Sequence, residues 1–400
     1  MPFRESRPVE ERIALMREFE SGAFSVVELC GRYGISRDTF YVWKRRRDGG
    51  DARWFEDLSR APGSCPHTVR PETVSAIVAL RTRFPRFGPK KLKARLALDR
   101  PDVVWPAAST IGDILKREGL INQKRRRAKP IGQGEIIAGS DVPNGEWAID
   151  FKGWFRTLDG TRCDPLTVSD TASRYLIAAR ITPPTHTGVK AVLERVFREI
   201  GLPEAIRSDN GAPFGSTAAG GLSRLSVWFL KLGIEPRFIP PASPQENGRH
   251  ERMHRTLKAE TARPPARCWE QQQVRFNIFR RAYNEERPHE ALGQATPASR
   301  WQPPRQRLPR RLEEPWYDAD HQVRRVRTDG AIMWRGALVF ISEVLAGELV
   351  GLAEHERGGH LVRFANRDLG LIDTTGRFHR FAPPRARLRS AMEPDKIDAE

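Results

Sequence analysis

EWAIDFKGWF (146–155), CDPLTVSD (163–170) and RYLIAARIT (174–182) are three short apolar runs separated by turn residues, the pattern of consecutive strands in a meander. Downstream, GVKAVLERVFREI (188–200) has helical spacing, and EAIRSD (204–209) is strand-like. A helix over 222–232, a strand EPRFIP (235–240) and helices over 246–262 and 268–286 complete the segment. Strands that begin as a meander and then alternate with helices predict an α/β fold with a mixed sheet. That sheet sets the limits of everything around it.

Upstream the texture is helical. VEERIALMREFE (9–20) places Ile13, Leu15, Met16 and Phe19 at helical spacing, a short amphipathic run (25–33) ends at Gly34, and Ser36 opens a third run. A helix, a tight glycine turn and a second helix carrying Arg45, Arg46 and Arg47 have the shape of a helix-turn-helix, as well as of an ordinary three-helix bundle. The arginines favour DNA, with Arg45 and Arg46 as candidate contacts. We assign this domain to 1–58. Three further helices are predicted over 69–121, a second helical DNA-binding domain in which the basic GPKKLKARL segment offers Lys90 and Lys91, although a charge run is often only a solvated face. Residues 122–142 read as a basic linker, with Arg125 and Arg126 set to lie along a phosphate backbone. The mixed-sheet segment spans 143–302, a second basic linker 303–320, and a strand-rich segment resembling a small β-barrel 321–382. The tail, 383–400, reads as disordered.

The 400 residues leave room for two or three domains, and the net charge of +18 is spread along the chain. A polyanionic partner is the first inference, because arginine matches phosphate bidentately and releases counterions from DNA. Cys30, Cys65, Cys163 and Cys268 form no CxxC pair, so neither a zinc cluster nor a disulfide framework is indicated. No run approaches a membrane span and the N-terminus is charged where a signal peptide is apolar, which predicts a cytoplasmic protein with no membrane partner.

Three carboxylates stand out by position. Asp150 sits inside the apolar WAIDF, where an ionised group is costly without a partner or a metal. Asp209 closes EAIRSD before the Asn210-Gly211 turn, and Glu251 lies about two turns into the helix after Pro244. If the two aspartates end neighbouring strands, the helix of Glu251 can cross their shared edge. Three oxygen ligands with open positions suit Mg²⁺ or Mn²⁺. Asp159 and Asp170 also stand near strand ends, where most aspartates are turn formers.

These residues carry a resemblance. WAIDF around Asp150, SDNGAPF around Asp209, PASPQENGRHERMHRTLK around Glu251 and YNEERPHEALGQATPASRW at 283–301 resemble the catalytic core of DDE-type insertion-sequence transposases, relatives of retroviral integrases. The resemblance implies a ribonuclease H-like core, with Asp150, Asp209 and Glu251 as the catalytic residues and ligands of two Mg²⁺ or Mn²⁺ ions. It implies a transposase that cleaves and transfers DNA strands, with transposon ends and target duplex as partners and a homo-oligomer on DNA. Arg255 and Lys258 follow Glu251 on one helix face and point toward DNA. Asn210 and Gly211 would shape the turn after Asp209, and Gln245, Asn247 and Gly248 the entry to the last helix. Two departures mark this chain. STAAGGLS (216–223) lengthens the interval between Asp209 and Glu251, and Glu246 offers a competing carboxylate.

Two other readings share the residues. One is a catalytically silent DNA-binding regulator with the same fold. The other is a zinc metallopeptidase, because His250-Glu251-Arg252-Met253-His254 satisfies H-E-x-x-H.

Overall fold

The computed structural model describes residues 7–58, 68–121, 140–239, 248–356 and 358–381. The chain divides into two compact units, Met1–Arg70 and Pro71–Glu400. In the first, α1 (Pro8–Glu20), α2 (Val26–Tyr33) and α3 (Arg37–Asp48) enclose Leu15, Met16, Leu29, Cys30 and Phe40. The helix limits follow from local chemistry. Ser25 accepts from the Glu28 amide while Glu28 reaches back to the Ser25 amide, a reciprocal cap that starts α2. Gly34, at φ 64, ends it in the left-handed region that glycine enters without strain. Ser36 then caps α3 through the Thr39 amide.

The second unit opens with α4 (Pro71–Arg83), α5 (Pro89–Asp99) and α6 (Ala108–Arg117). It continues into a sheet made from β1 (Trp147–Phe151), β4 (Pro165–Asp170), β5 (Leu176–Ile181), β6 (Ala205–Ser208) and β7 (Glu235–Phe238). Their order is β5-β4-β1-β6-β7. β5, β4 and β1 are antiparallel, whereas β1, β6 and β7 are parallel, so the sheet is mixed as the sequence predicts. The first predicted strand is shorter than expected. It stops at Phe151, Gly153 turns at φ 83, and 155–156 pairs separately as β2 with β3 (Arg162–Cys163).

α7 (His186–Glu199) and α8 (Arg224–Lys231) cover one sheet face, where Val189, Leu193 and Phe197 meet Trp147, Ile149, Leu166, Val168 and Ile206. α9 (Gly248–Thr261) and α10 (Trp269–Glu285) serve the opposite face, with Met253, Leu257, Phe276 and Phe279 packed on Leu176 and Ala179. The segment 303–320 has no helix or strand but runs along the core. Gln306 accepts from the Leu202 amide, and Leu308 and Leu312 pack against the main cluster.

The strand-rich C-terminal segment forms β8 (His321–Arg325), β9 (Ala331–Trp334), β10 (Ala337–Phe340), β11 (Leu349–Glu354), β12 (His360–Phe364), β13 (Arg367–Ile372) and β14 (Phe378–Arg380). Hydrogen bonding arranges them as a sheet in the order β14-β13-β12-β11-β8 plus a β9/β10 hairpin. Its core is continuous with the outer side of α8, because Ala219, Leu222, Val227 and Leu230 are buried in one cluster with Val350, Leu352, Val362, Phe364 and Leu369. STAAGGLS is therefore the seat of this sheet. Gly220, at φ 66, fits there because an added Cβ would stand 3.2 Å from Leu369. The expected linker residues 122–139 and the tail from 382 lie outside the described residues, and among the described residues no helix is long and apolar enough to cross a membrane.

Candidate active site

β1 is the middle strand, and Asp150 is its last residue but one. Against β4, Asp150 stands opposite Thr167. Against β6, Trp147 is level with Ile206 and Ala148 with Arg207. Carrying that parallel register forward sets Asp150 level with Asp209, which follows the end of β6. The two aspartates thus end neighbouring strands. Asp209 is exposed and its carboxylate accepts from the Gly211 amide at 3.3 Å, while Asn210 donates to the Ile239 carbonyl at 2.7 Å and ties the turn to the end of β7.

α9 divides by helical period. His250, Met253, His254, Leu257 and Thr261 are buried, and Glu251, Arg255 and Lys258 are exposed on the outer face. Asp150, Lys152, Glu251, Arg255, Lys258 and Arg263 line one cavity of about 550 Å³. Four cations surround two carboxylates there, a balance that favours a polyanion over a neutral substrate. Burial, and then Lys258, pull the Lys152 ammonium below its ordinary value against the opposing pull of Asp150 and Glu251. Asp209 is not among the residues lining this cavity, so the described structure brings together Asp150, Glu251, Arg255 and Lys258 and leaves Asp209 on the adjoining strand end.

Beneath the cavity lies a polar layer inside the protein. Thr167 Oγ1 is 2.7 Å from His250 Nε2 and 2.6 Å from His254 Nε2, and Ser169 Oγ is 2.9 Å from His250 Nδ1. His254 Nδ1 faces Asp150 Oδ2 at 3.8 Å. Burial pushes His250 down to about 3, and burial followed by His250 pushes His254 lower, so both rings are neutral at ordinary pH. The H-E-x-x-H helix therefore turns both histidines toward β4, and of the two only His254 borders the cavity that Glu251 lines. A zinc peptidase needs all three at one site.

The other candidates separate. Arg45 is exposed and donates to the Tyr41 carbonyl of its own helix. Arg46 instead closes the segment after α3, with its guanidinium on Asp51 and on the carbonyls of Arg53 and Glu56. Lys90 pairs with Glu290 at 3.0 Å. Lys91 is half-buried, and burial, then Arg287, lowers it to about 8. Gly248 opens α9, and nothing stands within 4 Å of an added Cβ. Arg125, Arg126, Gln245, Asn247 and the competing Glu246 lie outside the described residues. Asp159 and Asp170 are turn formers: Asp159 accepts from the Thr161 amide at 3.0 Å, and Asp170 from the amides of Asn144 and Ser173 at 2.8 and 2.7 Å.

Comparison with known protein families matches residues 141–244 and 232–297 to the integrase core domain, and residues 11–54 to a helix-turn-helix domain. Together the two integrase-core matches span residues 141–297. Similarity to insertion-element proteins extends beyond that core. An uncharacterized 39.2 kDa protein of insertion element IS476 from Xanthomonas euvesicatoria is 29% identical over 303 residues, which is 73% of this chain and 76% of that one. The Gag-Pol polyprotein of baboon endogenous virus is 31% identical over 185 residues, 46% of this chain and 10% of the polyprotein. Among solved structures, the catalytic core domain of BIV integrase is 22% identical, covers 39% of this chain and 92% of its own, and gives a TM-score of 0.31.

An integrase core joined to a helix-turn-helix domain implies DNA integration or transposition, with DNA as the partner and a polynucleotidyl transferase or nuclease as the enzyme class. Within this integrase core, sequence reasoning passed over Lys152 and Arg263. Lys152 had a signal, since it follows Asp150 at the strand period of two. Arg263 lies beyond α9 and reaches the cavity only through tertiary packing.

Proposed function

We propose that the chain is a transposase that binds transposon-end DNA, cleaves a strand and joins the resulting 3′-hydroxyl to target DNA. The observation that carries this reading is the single cavity onto which Asp150 and Glu251 open between Lys152, Arg255, Lys258 and Arg263. Asp150, Asp209 and Glu251 are hard oxygen donors; Thr167 and Ser169 engage three of the four nitrogens of the neighbouring histidines, and the fourth, His254 Nδ1, faces Asp150 at 3.8 Å. That donor set fits Mg²⁺ or Mn²⁺. In this reading the three carboxylates hold two such ions, whose chemistry is to activate a water or a 3′-hydroxyl and to stabilise the leaving oxygen in an in-line displacement.

The chain's own residues then have distinct tasks. Arg255 and Lys258, one and two turns after Glu251, draw the phosphate backbone onto the carboxylates and hold the scissile phosphate in place. Lys152 and Arg263 extend the cationic rim and offset charge on the phosphoryl oxygens. The helix-turn-helix presents Arg45 to the duplex, and Lys90, Lys91, Arg125 and Arg126 are further backbone contacts. Cutting and joining two ends calls for at least two copies on the DNA.

The test is cleavage and strand transfer on a labelled duplex taken from the sequence flanking the gene, with Mg²⁺, Mn²⁺, Zn²⁺ or chelator. Wild-type protein is expected to nick and join in Mg²⁺ or Mn²⁺ only, and Glu251→Gln to do neither. Binding without cleavage in every metal would replace this reading with the silent regulator, and proteolysis dependent on Zn²⁺ would replace it with the peptidase.

A further inference from the structure

We propose that His254 is a positioning residue for Asp150, the last link of a hydrogen-bonded chain that starts at Ser169 and passes through His250 and Thr167. The proposal rests on reading Asp150 as a metal ligand. It explains the paired histidines of α9 without zinc.

The chain runs from the protein interior to the edge of the cavity. His250 and His254 are buried, Thr167 is fully buried, and their rings stand 4.5 Å apart edge to face. Contacts of 2.9, 2.7 and 2.6 Å run from Ser169 to His250, from His250 to Thr167 and from Thr167 to His254. The 3.8 Å approach of His254 Nδ1 to Asp150 Oδ2 ends the series. Thr167 has one proton to give and also lies 3.1 Å from the Asp150 carbonyl oxygen. If the hydroxyl gave that proton to the carbonyl, both histidines would donate from Nε2, and the bare Nδ1 of His254 would face a carboxylate. Two acceptors would then oppose each other at a site mostly withdrawn from water, which is costly.

One assignment avoids this. Ser169 donates to His250 Nδ1, His250 Nε2 donates to Thr167, Thr167 donates to His254 Nε2, and His254 Nδ1–H points at Asp150. Each donor up to His254 has an acceptor within hydrogen-bond distance, the remaining His254 Nδ1–H faces the carboxylate at 3.8 Å, and every bond polarises the next in that direction. The same count weakens the competing zinc reading. Ligand atoms of Asp150, His250 and His254 lie within 4.8 Å of one another, but Thr167 and Ser169 already occupy three of the four ring nitrogens. A cation there would have to break that network.

A donor fixed behind a ligating carboxylate sets which oxygen faces outward and how far it can swing, which is how outer-shell partners tune metal affinity. The side-chain amides of glutamine and asparagine separate the two ends of the imidazole. His254→Gln places an amide near Nε2, keeping Thr167 and losing the donor to Asp150. His254→Asn places one near Nδ1, keeping the donor and losing Thr167.

The experiment compares the Mg²⁺ dependence of cleavage and the binding of Mn²⁺ by calorimetry in full-length wild type and both variants, with a melting curve for each. His254→Gln is expected to raise the metal requirement about 10- to 100-fold, with His254→Asn within about threefold of wild type. Equal metal requirements in all three proteins would overturn the proposal, and so would equal losses in the two variants, which mark a structural role. Should His254→Gln not fold, Ser169→Ala removes the first donor, and an unchanged metal requirement there overturns the proposal as well. If wild type binds Mn²⁺ without cleaving, the transposase reading fails while the calorimetric arm still decides the role of His254. If wild type binds no Mn²⁺, both fall.

Discussion

One face of the five-stranded sheet presents Trp147, Ile149, Leu166, Val168 and Ile206 to α7 and α8, and the other presents Ala148, Asp150, Thr167, Ser169 and Arg207. The same strands supply both sets, because side chains alternate along a strand. The first set is hydrocarbon closed by helices, and removing it from water stabilises the fold. The second set is polar apart from Ala148; Thr167 and Ser169 meet two buried histidines, and Arg207 pairs with Glu146 at 3.2 Å. A buried polar layer costs stability unless each group is partnered. In the proposed transposase the face carrying Asp150 is the one arranged for chemistry, and the opposite, mainly apolar face supports the sheet beneath it.

Substitutions should separate the two. Trp147 is fully buried, and its indole donates to Asn144 Oδ1 at 3.1 Å. Trp147→Ala is expected to cost about 3–5 kcal/mol in chemical denaturation, the range for large-to-small changes in a core. A loss below about 1 kcal/mol would mean that the apolar face does not carry the fold.

The polar face should report itself through pH. His250 falls to about 3 on burial from an ordinary value of 6.5. Between those values the unfolded chain takes up a proton that the folded chain refuses. Its contribution is therefore complete above about 6.5 and is lost as pH falls toward 3, by up to about 1.4 kcal/mol per pH unit. Melting curves of wild type and His250→Asn at about pH 7.5 and about pH 5 check this, with a flatter dependence expected in the variant. Identical slopes would place the titration elsewhere.

Much of this arrangement was legible from the sequence. The meander, the alternation that follows and the helix limits come from local periodicity and capping, so WAIDF, Ser25, Gly34 and Ser36 could be placed from neighbouring residues alone. The strand positions of Asp150 and Asp209 and the outward stripe of Glu251, Arg255 and Lys258 follow from the same periods. What the sequence hid depends on distant packing. H-E-x-x-H spells a zinc site, and only the pairing of Asp150 with Thr167 shows that the histidines meet a strand hydroxyl instead. Arg46, a candidate DNA contact beside Arg45, also binds the turn at Asp51, a contact that no local pattern signals. STAAGGLS reads as an insertion that lengthens the interval between Asp209 and Glu251, and the structure shows it seating the C-terminal sheet, a contact between residues more than a hundred positions apart.

The central claim is that Asp209, exposed on the strand end beside Asp150, completes the catalytic set across that edge. Asp209→Asn removes a ligand while keeping the shape and the turn. The direct measurement is strand cleavage and duplex binding by this variant and by wild type, in Mg²⁺, on the same labelled end. The account predicts that cleavage disappears while the binding curve overlays that of wild type, and full cleavage by Asp209→Asn would contradict it.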